Sequence, residues 1–555
     1  NAPMQGTPTP DGSAQPTPMP RVIVAASTGT VFEFYDFLLY GSLATFFGVL
    51  FFPPGNATAA LLASLATFGA GFAVRPLGAA LFGRLGDRVG RKRTFLVTIV
   101  LMGLSTALVG ALPTFEQIGW WAPALLVTLR LVQGLALGGE FGGAALYIAE
   151  HCAPPRRGLF TSFIQTTGSI GLLLSLGVIL ACRAVLGEEA FREWGWRIPF
   201  LLSVLLLGLS VYVRLQIAES PLFEQIKRRG ELSAAPVRES LLAPANRPRM
   251  LAALVIGAAM ATSWYTAQFY SLVFLQTAVL VDAATAATVL GVAVLAGLVL
   301  FLAAGALSDR YGRRPVMLTG MLLTALAVMP AYRAMIDLGN PALAAAQRAA
   351  PVTVYAAPTR FDPFASAASL DDATRVRDTL AKRGISYLNA PLADAPASDA
   401  PASDASASRE ATVVVTIARR TLSGFDKAAL AAALDAAGYP STSAVEPLRG
   451  PGDLDALHLG LVGCLLAMIL GAALTCGPGA GWLAELFPTR IRYTSLSVPY
   501  HLTSAWFGGF MPLTAAWLVA RSGDVLAGLW YPVVVMGVMF VLALRWMPET
   551  RGTEL

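Results

Sequence analysis

"GRLGDRVGRKR", residues 83–93, sets six charged side chains into eleven positions of a chain that is only 13% charged. "LLASLATFGAGFAVRPLGAALF" leads into it and "TFLVTIVLMGLSTALVGAL" leads away, both almost free of charge. Nearly the same stretch returns at 305–315 as "GALSDRYGRRP". Aligned, Gly83 matches Gly305, Leu85 matches Leu307, Asp87 matches Asp309, Arg88 matches Arg310, Gly90 matches Gly312 and Arg91 matches Arg313. An apolar chain that halts for a charged hairpin and turns apolar again is crossing a membrane, and the same hairpin met twice marks a duplication.

Composition agrees. Of 555 residues, 55% are hydrophobic, whereas a soluble chain carries about 25% charged residues to cover its surface. The net charge of +6 does not indicate a nucleic-acid partner, because the cations sit in short loops between apolar runs. Cys152, Cys182, Cys464 and Cys476 show no CxxC spacing, so neither a metal site nor a disulfide framework is expected. The N-terminal "NAPMQGTPTPDGSAQPTPMP" lacks an apolar signal core and reads as a disordered tail, which leaves the first span as an uncleaved anchor.

Twelve runs reach the roughly twenty apolar residues a span needs. They lie near 21–48, 58–82, 94–112, 122–149, 158–183, 197–217, 249–277, 285–307, 315–335, 456–486, 494–520 and 525–547. Lys and Arg gather in alternate loops: 84–93, Arg156 and Arg157, 227–247, 310–314, Arg490 and Arg492, and Arg551. Loops such as "FFPPGNAT" and "PTFEQIGWW" have almost none, so the basic loops and both termini are expected in the cytoplasm.

The expected fold is an all-α polytopic membrane protein, its twelve transmembrane helices in two six-helix pseudo-repeats, with a small α/β extracytoplasmic insertion. The expected division is a tail (1–20), a first half (21–217), a cytoplasmic linker (218–248), spans seven to nine (249–339), the insertion (340–455), spans ten to twelve (456–547) and a cytoplasmic tail (548–555). Within the insertion, "PVTVYA" and "ATVVVTIARR" alternate like strands. "SLDDATRVRDTLAKRG" and "GFDKAALAAALDAAGY" read as amphipathic helices, and "ADAPASDAPASDASAS" as a linker. Parallel six-helix halves build one large class of secondary transporters, with the substrate cavity between them near the midplane.

The motifs also resemble those of a known family. "GRLGDRVGRKR" and "RLVQGLALGGEFGGA" are similar to the hallmark loop and fourth-helix signature of the major facilitator superfamily. "FEFYDFLLYG", "VRPLG", "WGWRIPF", "ESPLF" and "ELFPTRIRYT" narrow the resemblance to its metabolite:proton symporter branch, which carries shikimate, 2-oxoglutarate, citrate and proline or betaine. The resemblance covers the twelve spans and not the insertion. It implies a gating role for the hairpins: Gly83, Asp87, Arg88 and Arg91, then Gly305, Asp309, Arg310 and Arg313, with Glu140 at the inner end of span four. Lys92 and Arg93 are read as topology signals only.

Charges inside spans are costly, at least about 2.5 kcal/mol at the bilayer centre, and so point to function. Glu33, Asp36 and Tyr40 fall on one face of span one, the acids roughly 18–22 Å in from Arg21. Carboxylates held away from water can load and release a proton near neutral pH. Arg130 in span four is the expected partner of a span-one acid, with Gln133 on its face; the alternative is a static ion pair. Arg75 has no adjacent acid, and a guanidinium grips a carboxylate in a two-pronged fork, so it is the leading substrate contact. Arg197 is a second candidate, or an interfacial anchor. Trp264, Tyr265, Gln268, Tyr500 and His501 are candidate cavity residues, or packing. Gly134, Gly138 and Gly139 allow close helix approach.

The expected function is proton-coupled import of a small organic anion, a mono-, di- or tricarboxylate, by alternating access in a bacterial inner membrane. No enzyme motif, cofactor or metal site is expected; the partners are the organic acid, the proton and the bilayer, and the chain is expected to be monomeric. Span five lacks the Gly-Pro pattern of drug antiporters, which favours symport. The alternatives are a symporter of a zwitterionic osmolyte such as proline or betaine, or a non-transporting receptor sensing through 340–455. The ending "MPETRGTEL" has no coiled coil, which disfavours the osmolyte reading.

Overall fold

The computed structural model describes residues 19–53, 57–89, 91–138, 141–215, 238–240, 243–357, 371–396, 412–448, 453–488 and 491–554. Among them, ten helices are long and apolar enough to cross a membrane. An eleventh span is the pair Glu188–Gly195 and Arg197–Tyr212, bent by 49°, and Leu96–Ala111 is a shorter apolar helix. Together these match the twelve expected runs in order. Large apolar side chains such as Leu205, Val299, Leu326 and Val541 are exposed on the outside of the bundle, where lipid would meet them.

Spans one to six are Met19–Ser42, Ala57–Phe82, Arg91–Ala111, Trp121–His151, Pro154–Leu186 and the bent pair. Spans seven to twelve are Arg247–Thr277, Ala283–Tyr311, Arg313–Gly339, Ala456–Leu486, Arg492–Ser522 and Ala527–Trp546. Span one stops earlier than its apolar run, and Ala44–Phe51 follows as a separate short helix. The two halves meet where span five packs along span eight and span two along span eleven.

Local chemistry sets the helix ends. Asp282 caps span eight by accepting from the backbone N–H groups of Ala284 and Thr285. Gly312 ends it at φ 103°, a conformation that side chains rarely adopt, and so lets the hairpin reverse into span nine. The matching hairpin runs as helix to Val89 and from Arg91, but the side chains of Gly83, Asp87, Arg88 and Arg91 lie outside the described residues, as does Glu140. Spans two and four cross backbone to backbone: a Cβ on Gly134 would collide with the carbonyl of Gly71. Among the described residues three turns widen to π-helix, at Phe191–Gly195, Tyr265–Tyr270 and Ser504–Gly509, the last two in the facing spans seven and eleven.

The insertion folds on a core of its own, separate from that of the bundle. Its four strands, β1 (Val352–Ala356), β2 (Tyr387–Ala390), β3 (Val413–Ile417) and β4 (Arg420–Ser423), pair in the order β2-β1-β3-β4. β1 runs parallel to β2 and antiparallel to β3. Val352, Val354, Val415 and Ile417 bury one face against Leu380 of the Asp372–Lys382 helix and Leu430 and Leu434 of Lys427–Ala436. Two strands and two helices match the sequence reading. β2 and β4 are too short to carry a pattern, and the added helix Pro341–Ala349 is started by Asn340, whose side chain accepts from Leu343 N.

Candidate functional site

Span one delivers both acids to the bundle interior: Glu33 and Asp36 are buried. Asp36 Oδ1 accepts from Ser203 Oγ of span six at 2.5 Å. The expected pairing of Arg130 with a span-one acid is not made. Arg130 Nη1 instead donates to Gln133 Oε1 at 2.7 Å and to the Phe37 carbonyl at 3.3 Å, and the rings of Phe37 and Tyr40 stand 4.2 and 4.6 Å from its guanidinium carbon. Neutral acceptors, Gln133 one turn on and the Phe37 carbonyl across on span one, and π faces hold the cation without a carboxylate. Gln133 Nε2 passes the chain on to Thr106 Oγ1 at 2.8 Å, and Thr106 lies beside Asp36. Asp36 and Arg130 are thus linked through amide and hydroxyl groups rather than by direct contact.

Arg75 lies against a perpendicular pair of rings, its guanidinium carbon 4.2 Å from the centre of Phe37 and 3.6 Å from that of Phe72, with Tyr265 and Tyr500 within reach of its charge. Its Nε and Nη2 are buried without a hydrogen-bond partner. The same is true of Gln268 Nε2, Gln165 Nε2 and both ring nitrogens of His501. Buried donors left unpaired cost free energy, of order 1–3 kcal/mol each, so a cluster of them calls for an acceptor from outside. Gln165, Trp264, Tyr265, Tyr500 and Ser504 line a cavity of about 40 Å³ between the halves. That is room for a few waters and no metabolite. Above it Phe68 and Phe269, one from each half, stack at 4.5 Å, so the centre is closed.

Two other candidates have their polar groups committed to backbone carbonyls. The Tyr40 hydroxyl is committed to the Ser64 carbonyl at 3.1 Å. Arg197 Nη2 donates to the Leu112 carbonyl at 3.0 Å, and its guanidinium lies 4.2 Å from the Trp196 ring, a cation satisfying the C-terminal end of span three.

At the end of the bundle that carries the charged hairpins, the halves are tied by a buried ionic belt. Arg157, at the start of span five, meets Glu485, at the end of span ten, at 3.1 Å. Glu485 also takes Arg313 at 3.1 Å and the Thr550 hydroxyl at 2.7 Å. Asp309 binds Arg313 at 2.6 Å and accepts the backbone N–H groups of Gly158 and Leu159 at 2.8 Å each, which caps span five from span eight. Close approach there is possible because Gly305 lies against Gly158. Arg310 lies 5.3 Å over Tyr311, outside this belt.

The sequence reading missed Gln165, Ser203, Arg157 and Glu485. A signal for the last two existed: Glu150 and Arg157 in "AEHCAPPRR" repeat as Glu485 and Arg492 in "AELFPTRIR", each pair seven positions apart. Glu150 and Arg492 are again within reach of each other.

Two six-helix halves closed around a polar centre define a membrane transporter of small molecules, not an enzyme. The chain belongs to the major facilitator superfamily. Residues 22–241 match the family model "Sugar (and other) transporter". The chain is 39% identical over 328 residues to the inner membrane metabolite transport protein YhjE of Escherichia coli, covering 58% of this chain and 74% of that one. It is 40% identical over 329 residues to the shikimate transporter of Escherichia coli, covering 57% and 72%. It is 34% identical over 321 residues to the proline/betaine transporter of Salmonella typhimurium, covering 56% and 64%. A crystal structure of a D-xylose-proton symporter superposes with a TM-score of 0.57 over 96% of this chain and 99% of that one, at 16% identity, a likeness of fold alone.

Proposed function

We propose that this protein is a proton-coupled symporter that imports a small organic anion by alternating access. The observation that carries the reading is the set of buried, unpartnered donors on Arg75, Gln165, Gln268 and His501 around a closed centre. An acceptor-rich anion satisfies them together, with the Arg75 fork on its carboxylate. Glu33 and Asp36, the latter linked to Arg130 through Gln133 and Thr106, are the proton-loading pair. Relatives named for shikimate and alpha-ketoglutarate, the latter 36% identical over 321 residues, support a carboxylate. The basic loops put the ionic belt and both termini in the cytoplasm of a bacterial inner membrane and the insertion outside it. The belt parts when substrate is released inward. The chain acts as a monomer.

The test is uptake into proteoliposomes under an imposed pH gradient, with shikimate, 2-oxoglutarate, citrate, proline and glycine betaine as probes. A carboxylate should accumulate, and a protonophore should abolish the accumulation. Accumulation indifferent to the gradient would refute proton coupling. The proline/betaine relative supports the osmolyte reading as second choice, and accumulation of proline or betaine alone would establish it.

A further inference from the structure

The insertion has no counterpart in the first half, and its attachments say which half it moves with. It leaves span nine and returns into span ten, and Ser443 Oγ donates to the Gly339 carbonyl at 2.6 Å across its neck. Its edge strand is docked on span eleven: Tyr387 N donates to the Gly523 carbonyl at 2.9 Å, and Val525 N donates to Ser386 Oγ at 3.2 Å. All of these partners belong to the second half.

Among the described residues, the hydrogen bonds from the insertion to the first half converge on one side chain. Asp378 Oδ1 accepts from Thr58 N and from Thr58 Oγ1, both at 3.1 Å, and so caps the start of span two. The carboxylate is 8% exposed and is balanced by Lys382 at 2.9 Å on its own helix. Between this bridge and the closed centre lies a cavity of about 950 Å³, lined by residues of both halves and of the insertion, Thr45, Gln276, Asp378 and Trp517 among them.

We propose that the insertion is a lid carried by the second half, and that Asp378 is the clasp holding it shut over span two. The reasoning is mechanical. For the halves to part at this end, span two must move away from span eleven. The insertion is fixed to span eleven, so each opening breaks both Asp378 bonds. Breaking them is reversible: water replaces the acceptor at Thr58, and Lys382 keeps the carboxylate paired. Asp378 therefore sets how often this entrance opens while touching neither substrate nor proton. This rests on the alternating-access reading above, but the experiment reads the entrance itself and needs no substrate.

The four native cysteines are replaced by serine and Val273, buried in the wall of the 950 Å³ cavity, is changed to cysteine. Labelling by a membrane-impermeant maleimide is then timed in intact cells. Asp378→Ala should label about five- to tenfold faster than its parent, the scale of a lost helix cap. Asp378→Asn, whose amide oxygen still accepts, should stay close to the parent. If Asp378→Ala fails to reach the membrane, Thr58→Val, which deletes only the hydroxyl donor, should show a smaller acceleration of the same sign. A folded Asp378→Ala that labels at the parent rate overturns the clasp, as does an Asp378→Asn that labels as fast as Asp378→Ala.

Discussion

Arg157 Nη1 and Glu485 Oε1 stand 3.1 Å apart although 328 residues separate them in the chain. Both side chains are almost wholly removed from solvent, and Glu485 serves Arg313 as well. Glu485 is thus shared by two guanidinium groups, one from each half, of which Arg313 is also paired with Asp309, and the group holds the charged end of the bundle shut.

Glu485→Gln keeps the shape of that side chain and deletes its charge. Arg157 then faces an amide while Arg313 keeps Asp309, and breaking a buried pair in this way costs about 3–5 kcal/mol. The variant should melt several degrees below the parent in detergent, measured by intrinsic fluorescence. An unchanged melting temperature would mean that the belt contributes nothing to the closed state.

Asp36→Asn should abolish accumulation against a gradient while leaving a folded, inserted protein, because Asn can still accept from Ser203 but cannot exchange a proton. Uptake under an imposed pH gradient compared with exchange at equal concentrations on both sides separates the two effects. Full accumulation by Asp36→Asn would remove this residue from the coupling.

Arg75→Lys retains a positive charge against Phe37 and Phe72 but loses the planar fork. Affinity for a carboxylate substrate should fall at least about tenfold, read by ligand-induced thermal stabilisation with shikimate and 2-oxoglutarate. Affinity equal to the parent's would make Arg75 a packing residue.

Replacing 342–453 by a short Gly/Ser linker should leave a folded transporter, since the insertion has its own core and the bundle has its spans without it. The maximal uptake rate should be no lower than the parent's, since the Asp378 clasp leaves with the insertion. A shortened chain that fails to reach the membrane would show that the bundle needs the insertion to fold.

Charge spacing made the fold legible: the doubled hairpin and the long apolar runs between basic loops give the spans before any coordinate is seen. Arg75, Asp36 and Glu33 were legible for a related reason, since a charge inside an apolar run is visible against its background. Gln165 was not, because an uncharged amide among Thr and Gly of span five leaves no mark in one sequence. Arg130 was found, yet its partner was misread. Sequence spacing identifies a cation in need of a partner, but only packing shows that Gln133 and the Phe37 carbonyl reach it first. Glu485 stood in plain view, and its role depends on Arg157, which only the meeting of the two halves brings near.

The neck of the insertion, where Ser443 and Ala444 both bond the Gly339 carbonyl, has a practical meaning for anyone building with this scaffold. Entry and exit of the inserted chain are stitched together at the mouth of a helical hairpin, so the spacing of the two chain ends there is fixed by the stitch and not by what lies beyond it. The insertion is a ready port for foreign cargo: a fluorescent reporter or an antibody epitope grafted there, away from the contacts with Thr58 and Gly523, would ride with the second half and report its movement.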